Sequence, residues 1–222
     1  MTDQPRPTPL HDRSYQCSAT MIGPDRVVVS GRLTDTKPLG LGRTDGEPLI
    51  IHDMVVDLTV VMPSFEIEVV EVDMLTHPYP DCRGILPDYQ QLVGTSIARG
   101  YSKRVRELFG GPNGCSHIGA LLVAMGPVAV QASWSLATVD EDPAERLEVS
   151  VGPEERKRRT RLNTNTCHVW AEGGEHLQAT LDGTISIRPD WEVERLVKLG
   201  IDVPEGVAGP EKPTVPDGVQ QK

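Results

Sequence analysis

The sequence predicts an α+β fold: an antiparallel sheet of N-terminal and central hairpins, packed against three or four helices in a single domain. Three observations carry this. Through Leu75, apolar side chains recur with a period of two, in runs separated by turn residues. From Asp88 to Val139 they recur at helical spacing. A chain of 222 residues suits one domain and can bury a full hydrophobic core.

The elements follow in order. Residues 1–13 hold three prolines and few apolar side chains, as a flexible arm does. Tyr15 to Ile22 alternates, with Cys17, Ala19 and Met21 on one face. Gly23-Pro24-Asp25 turns the chain, and Arg26 to Leu33 returns with Val27, Val29 and Gly31 in phase. Residues 34–48, with three glycines and two prolines, read as a loop. Leu49 to Met62 gives the strongest strand signal. Ile50, His52, Met54, Val56, Leu58 and Val60 fall on one face, and Asp53 falls on the other. After Pro63-Ser64 the chain returns as Phe65 to Leu75. Its inward phase slips from Phe65/Ile67/Val69 to Val70/Val72/Met74, which predicts a bulge near Val69.

Two prolines and a glycine make His77 to Gly84 a rigid loop rather than regular structure. Helical signals begin at Pro87-Asp88 and carry Leu92, Val93 and Ile97. Tyr101, Val105, Leu108 and Phe109 mark a second amphipathic helix, ended by the glycines from Gly110 to Gly114. A third helix opens at Cys115 with Ile118, Leu121, Leu122 and Met125, and Val128 to Val139 continues it as a largely buried segment. Thr166 to Glu172 reads as a strand, His176 to Arg188 as a hairpin around Asp182-Gly183, and Val193 to Leu199 as a short last helix. Residues 202–222, with four prolines, read as a disordered tail, which places the domain at residues 14–201.

Composition narrows the functional classes. A net charge of -10 argues against nucleic-acid binding, which needs clustered positive charge. No apolar run approaches the roughly 20 residues of a membrane span; the richest, Ile118 to Val130, is interrupted at Gly126-Pro127. Residues 1–10 show no hydrophobic signal region. The expectation is a cytoplasmic protein that acts on a small-molecule substrate, with no nucleic-acid or membrane partner. The composition leaves a homo-oligomer open. Four cysteines are no disulfide framework for a chain this long.

Histidine and cysteine concentrate in a few segments. His52 lies on the apolar face of a strand, as a core histidine or as a ligand or general base, while Asp53 points the opposite way. Prolines hold His77, Tyr79 and Cys82 at low entropic cost. Cys115 stands at a helix start, where the dipole favours a thiolate. His117 meets it only if Cys115 precedes the first turn, because i and i+2 do not face each other on a helix. Cys167 and His168 are adjacent and alternate in direction. Cys and His suit a zinc or iron ion, although no spacing forms paired C-x₂-C arms. The basic run Arg156 to Arg161 is a solvated face or an anion clamp. Gly110 to Gly114 lacks a P-loop lysine, so no nucleotide cofactor is expected.

The ordered motifs Ile51-His52-Asp53-Met54, His77-Pro78-Tyr79-Pro80-Asp81-Cys82, Leu92-Val93-Gly94, Val105-Arg106-Glu107-Leu108, Gly114-Cys115-Ser116-His117 and Thr166-Cys167-His168 resemble those of a bacterial family of unknown function. The resemblance covers most of residues 20–190. It implies a place beside aromatic and acyl-CoA catabolism, with a formaldehyde-releasing lyase on lignin-derived aromatics as one activity. The element order is also similar to that of iron–sulfur scaffold proteins, which implies Cys82, Cys115 and Cys167 as metal ligands.

The expectation is therefore a small catabolic lyase working by acid–base chemistry on an aromatic or acyl substrate. His52, His77, Tyr79 and His117 are its candidate acids and bases, and Arg83, Tyr101 and Arg106 its candidate substrate-binding residues. The alternatives are a metal-binding or scaffold-like protein without catalysis of its own, and an interaction domain with these residues in its core.

Overall fold

The structure is a computed structural model that describes residues 7–144, 152–184 and 190–203. The chain forms two compact units, Met1–Val139 and Asp140–Lys222.

The first unit is a four-stranded antiparallel meander, β1 (Asp12–Gly23), β2 (Arg26–Lys37), β3 (Leu49–Val61) and β4 (Glu66–Thr76), in that spatial order. The α+β class is as predicted. β3 alternates as its sequence demands, with Met54, Val56, Leu58 and Val60 all buried. β2 contributes Val27, Val29 and Leu33 to the same face, and β4 contributes Ile67, Val70 and Met74. Each fully buried side chain of this kind contributes roughly 1.5–3 kcal/mol. The bulge foreseen near Val69 is present: Thr59 pairs with Val69 and Val60 with Ile67, so Glu68 is the extra residue. The phase change follows from it.

β1 and β2 are both longer than the alternation suggested. Asp12 and Arg13 belong to β1 rather than to an arm. β2 runs on to Lys37, so Asp35 is a strand residue and not part of a loop. A second bulge lies beside it, since Asp35 pairs with His52 and Thr36 with Ile50.

After β4, Pro80–Leu92 is a 3-10 helix with proline at its start, not an irregular loop. Proline's fixed φ suits a first helical turn, where its missing N–H is no loss. Helix α1 (Tyr101–Phe109) buries Tyr101, Val105 and Phe109, the stripe read from the sequence. Helix α2 (Ser116–Thr138) passes through Pro127 and packs on the sheet through Ile118, Leu121, Leu122 and Met125. Gly31 makes that approach possible: a Cβ there would lie 2.7 Å from Met125 Sδ. By length and composition α2 is apolar enough to cross a membrane, which the sequence reading did not anticipate. Nor is it largely buried, because only 28% of its most apolar window is covered. Its sheet-facing stripe is narrow, α1 packs beside it at Gly126, and most of its other positions are half-buried or exposed.

The second unit is helical among the described residues. It holds α3 (Pro153–Thr160), α4 (Glu175–Asp182), α5 (Asp190–Lys198) and a short 3-10 turn over His168–Trp170. The strand expected at Thr166 to Glu172 is replaced by turns around Asn165, which exchanges hydrogen bonds with Glu172. The expected hairpin at His176 to Arg188 is α4, and residues 185–188 lie outside the described ones. Asp182-Gly183 ends a helix here: Gly183, at φ 74°, supplies the left-handed C-terminal cap. The short last helix is α5. The predicted tail beyond residue 203, and residues 1–6 of the predicted arm, also lie outside the described residues.

Candidate functional site

One carboxylate organises the polar end of the first unit. Asp35, 1% exposed, comes from the inner face of β2, two residues beyond the core residue Leu33. His52 is its cross-strand partner on β3, so the sheet register alone brings the two together. His117 arrives from the first turn of α2. His52 Nδ1 and His117 Nε2 each lie 3.1 Å from the same Asp35 oxygen, Oδ2. The two imidazoles stack with their centroids 3.8 Å apart.

On the other side, Arg13 of β1 grips the carboxylate with two hydrogen bonds, Nε to Oδ1 at 2.6 Å and Nη2 to Oδ2 at 2.7 Å. His11 Nε2 stands 3.4 Å from Oδ1. The Arg13 guanidinium holds the Asp35 carboxyl well below the usual carboxylate range, so Asp35 is ionised and can only accept.

This fixes the tautomers. His52 gives its Nδ1–H to Asp35. His117 gives its Nε2–H and keeps a lone pair on Nδ1. Burial pushes the His117 pKa down, with His52 and Arg13 adding to that shift and Asp35 opposing it. His117 is therefore a neutral imidazole at neutral pH, ready to take a proton.

Its free Nδ1 faces a thiol, Cys115 Sγ at 3.7 Å. The contact exists because Cys115 is the extended N-cap residue of α2, ahead of the first turn. Cys115 is pinned in turn by its backbone N–H, which donates to the hydroxyl of fully buried Tyr89 at 2.9 Å. Burial pushes the Tyr89 hydroxyl up to about 12, so it stays protonated.

His52, His117 and Cys115 line a cleft of about 370 Å³ that also takes in Met54, Met74 and Ile85. Asp35 lies behind the imidazoles. The cleft is apolar-walled with a few convergent polar groups, the usual form of a small-molecule site.

The expected site residues fall into distinct places. His52 and His117 meet. Tyr79 and Cys82 line the outer wall of the same cleft, with Tyr79 70% exposed. His77 is turned to the backbone, its Nδ1 donating to the Tyr79 carbonyl at 2.8 Å. Arg83 is engaged by Asp73 at 2.8 Å and by the Met74 carbonyl at 3.0 Å. Tyr101 is a core residue against Gly126, and Arg106 is exposed on α1; neither lines the cleft. Cys82 and Cys115 share the cleft, whereas Cys167 is an exposed residue of the second unit. Asp53 forms a bidentate pair with Arg32 on the face away from the site. In the basic run, Arg158 and Arg159 are paired with Glu155.

Four contributors escaped the sequence reading: Asp35, Arg13, His11 and Tyr89. For Asp35 the signal was present, since Leu33-Thr34-Asp35-Thr36 keeps the two-residue period.

Residues 11–131 match the model of a family described as protein of unknown function (DUF2889), a span of more than half the chain that contains the whole cluster. No curated protein and no solved structure matches the chain.

Proposed function

The chain belongs to the DUF2889 family, and we propose that it is an enzyme, a lyase working by acid–base chemistry on a small aromatic or acyl molecule. One observation carries the reading: two stacked imidazoles, oriented by one buried carboxylate, line an apolar-walled cleft. Structural histidines need no such arrangement. An acid–base pair does, because proton transfer requires a fixed tautomer and a pKa near the working pH.

The elimination runs as follows. On an aromatic substrate carrying a primary alcohol, an imidazole lone pair removes the hydroxyl proton. The O–H pair becomes the C=O of formaldehyde, the C–C pair becomes a C=C bond, and an oxygen leaves from the next carbon. The imidazole that took the hydroxyl proton, now protonated, gives it to that oxygen. The charge on His117 in this step is offset by Asp35 at 3.1 Å. The setting would be aromatic or acyl catabolism in a bacterial cytoplasm.

The test is a panel of lignin-type aromatic alcohols, read out as released formaldehyde. Release by the native chain, falling by two orders of magnitude or more in His117→Ala, is expected. Equal release by His52→Ala, His117→Ala and the native chain would sink the proposal.

A second reading rests on the same residues. The ligand atoms of Asp35, His52 and His117 lie within 4.8 Å of one another, close enough to hold a zinc or iron ion. Against it, the carboxylate already carries the Arg13 guanidinium, which opposes a second cation. Elemental mass spectrometry of untagged protein decides: about one ion per chain, lost in His52→Ala, would favour the metal.

A further inference from the structure

We infer that Cys115 is a nucleophile and that the cleft accepts acyl esters or thioesters, passing the acyl group through a thioester on this sulfur. The inference rests on the catalytic reading of the cleft and adds a covalent step to it.

The geometry is a three-member relay. His117 has the Cys115 thiol at 3.7 Å on Nδ1 and the Asp35 carboxylate at 3.1 Å on Nε2. Because the Nε2–H is spent on Asp35, the Nδ1 lone pair is the one that faces sulfur. A nucleophile, its base and a group that orients the base, within reach of one another, are what thiol catalysis requires. The relay spans β2 and α2, so packing of the helix on the sheet holds it in register.

Two independent features favour the same step. α2 is 23 residues long and has no side chain capping its start, so its first N–H groups remain for a thiolate or an oxyanion. The walls of Met54, Met74 and Ile85 suit an acyl chain rather than a charged group. Among the other cysteines, burial raises the Cys17 thiol, Cys82 lines the outer wall of the same cleft away from the helix start, and Cys167 is exposed.

The chemistry balances without an oxidant or reductant. The Cys115 thiol proton moves to His117 Nδ1, and a sulfur lone pair forms the C–S bond to the acyl carbonyl. The C=O π pair moves onto oxygen. When it returns, the bond to the leaving alkoxide or thiolate breaks, and that group takes the proton from Nδ1. A water then gives a proton to Nδ1 and attacks the thioester carbon. The C–S pair returns to sulfur, which recovers the proton. The products are a carboxylic acid and an alcohol or thiol.

The test uses the full chain with p-nitrophenyl butyrate, following the nitrophenol burst and mapping acylated peptides after an acid quench. The expected result is one butyryl group per chain, on Cys115, with Cys167 unlabelled despite its greater exposure. Cys115→Ser should abolish the burst, and His117→Gln should slow it by roughly 100-fold; both variants should keep the native circular dichroism spectrum. Labelling that follows exposure, with Cys167 first, or a burst that survives Cys115→Ser, would overturn the inference. The two claims fail separately. Aromatic alcohols cleaved in a His117-dependent way with Cys115 never acylated would remove the covalent step alone. Acylated Cys115 with the alcohols untouched would remove the elimination alone.

Discussion

The two walls of the cleft are built differently. The inner wall comes from β3 and the start of α2, backed by Asp35 of β2, both of whose carboxylate oxygens are held by partners from other elements. The outer wall comes from the segment after β4, where Tyr79 is 70% exposed and His77 bonds only to a neighbouring backbone carbonyl. Both walls carry residues of the types that catalyse. Only the inner one places them in low dielectric with fixed tautomers, and electrostatic interactions are strongest there. Reactive residue types are common; a buried organiser is what distinguishes a site.

The comparison breaks most readily at Asp35. Asp35→Asn keeps the shape but replaces an acceptor-only group, so the imidazole tautomers are no longer set; turnover should fall by roughly 10³–10⁴-fold. Asp35→Ala should also cost about 3 kcal/mol of stability in a denaturant melt, because Arg13 loses its counter-charge and two imidazoles lose their hydrogen-bond acceptor. An Asp35→Asn variant of native activity would dissolve the distinction between the walls.

Next come the imidazoles. His52→Ala and His117→Ala should each lower turnover by about 10²–10³-fold. The double variant should lose little more than the worse single one, since the two act as a unit. Additive losses in steady-state kinetics would mean that they serve separate steps.

Acid should separate the walls too. The folded His117 sits below its ordinary 6.5, so the unfolded chain binds that proton first. Stability therefore drops as pH falls through about 6.5. Asp35 sits below its ordinary 3.8, so a further loss begins as pH falls through that value. Thermal midpoints against pH should show both losses, the upper one missing in His117→Gln and the lower one in Asp35→Asn. A flat profile between pH 7 and 5 would contradict the burial of His117.

The smallest effect belongs to the outer wall. Tyr79→Ala should raise KM by less than about tenfold and leave kcat nearly unchanged, since an exposed ring contributes contact area alone. A collapse of kcat in this variant would move the chemistry outward.

Much of the scaffold was legible. The strict alternation of β3 and the phase slip of β4 located two strands and a bulge, and i, i+4, i+7 spacing located α1. His52 and His117 were legible as candidates, and so was the condition for Cys115 to meet His117. Asp35 was lost because the apolar run of β2 ends at Leu33, and a polar continuation near glycines looks like loop. Burial of a charge depends on Arg13, a partner 22 residues away in sequence, which local pattern cannot reveal. In the second unit, Asp182-Gly183 is the same dipeptide whether it turns a hairpin or caps a helix, and packing of Leu177 and Thr180 decided for the helix.

The central claim is that Asp35 orients two stacked imidazoles and that His117 is neutral, and nitrogen–proton correlation NMR of the histidine side chains reads this directly. At pH 7 the account predicts His52 protonated on Nδ1 and His117 on Nε2, with the His117 titration below 6.5 and the signals unchanged by a chelator. A doubly protonated His117 at pH 7, or a spectrum that shifts when metal is stripped, would contradict it.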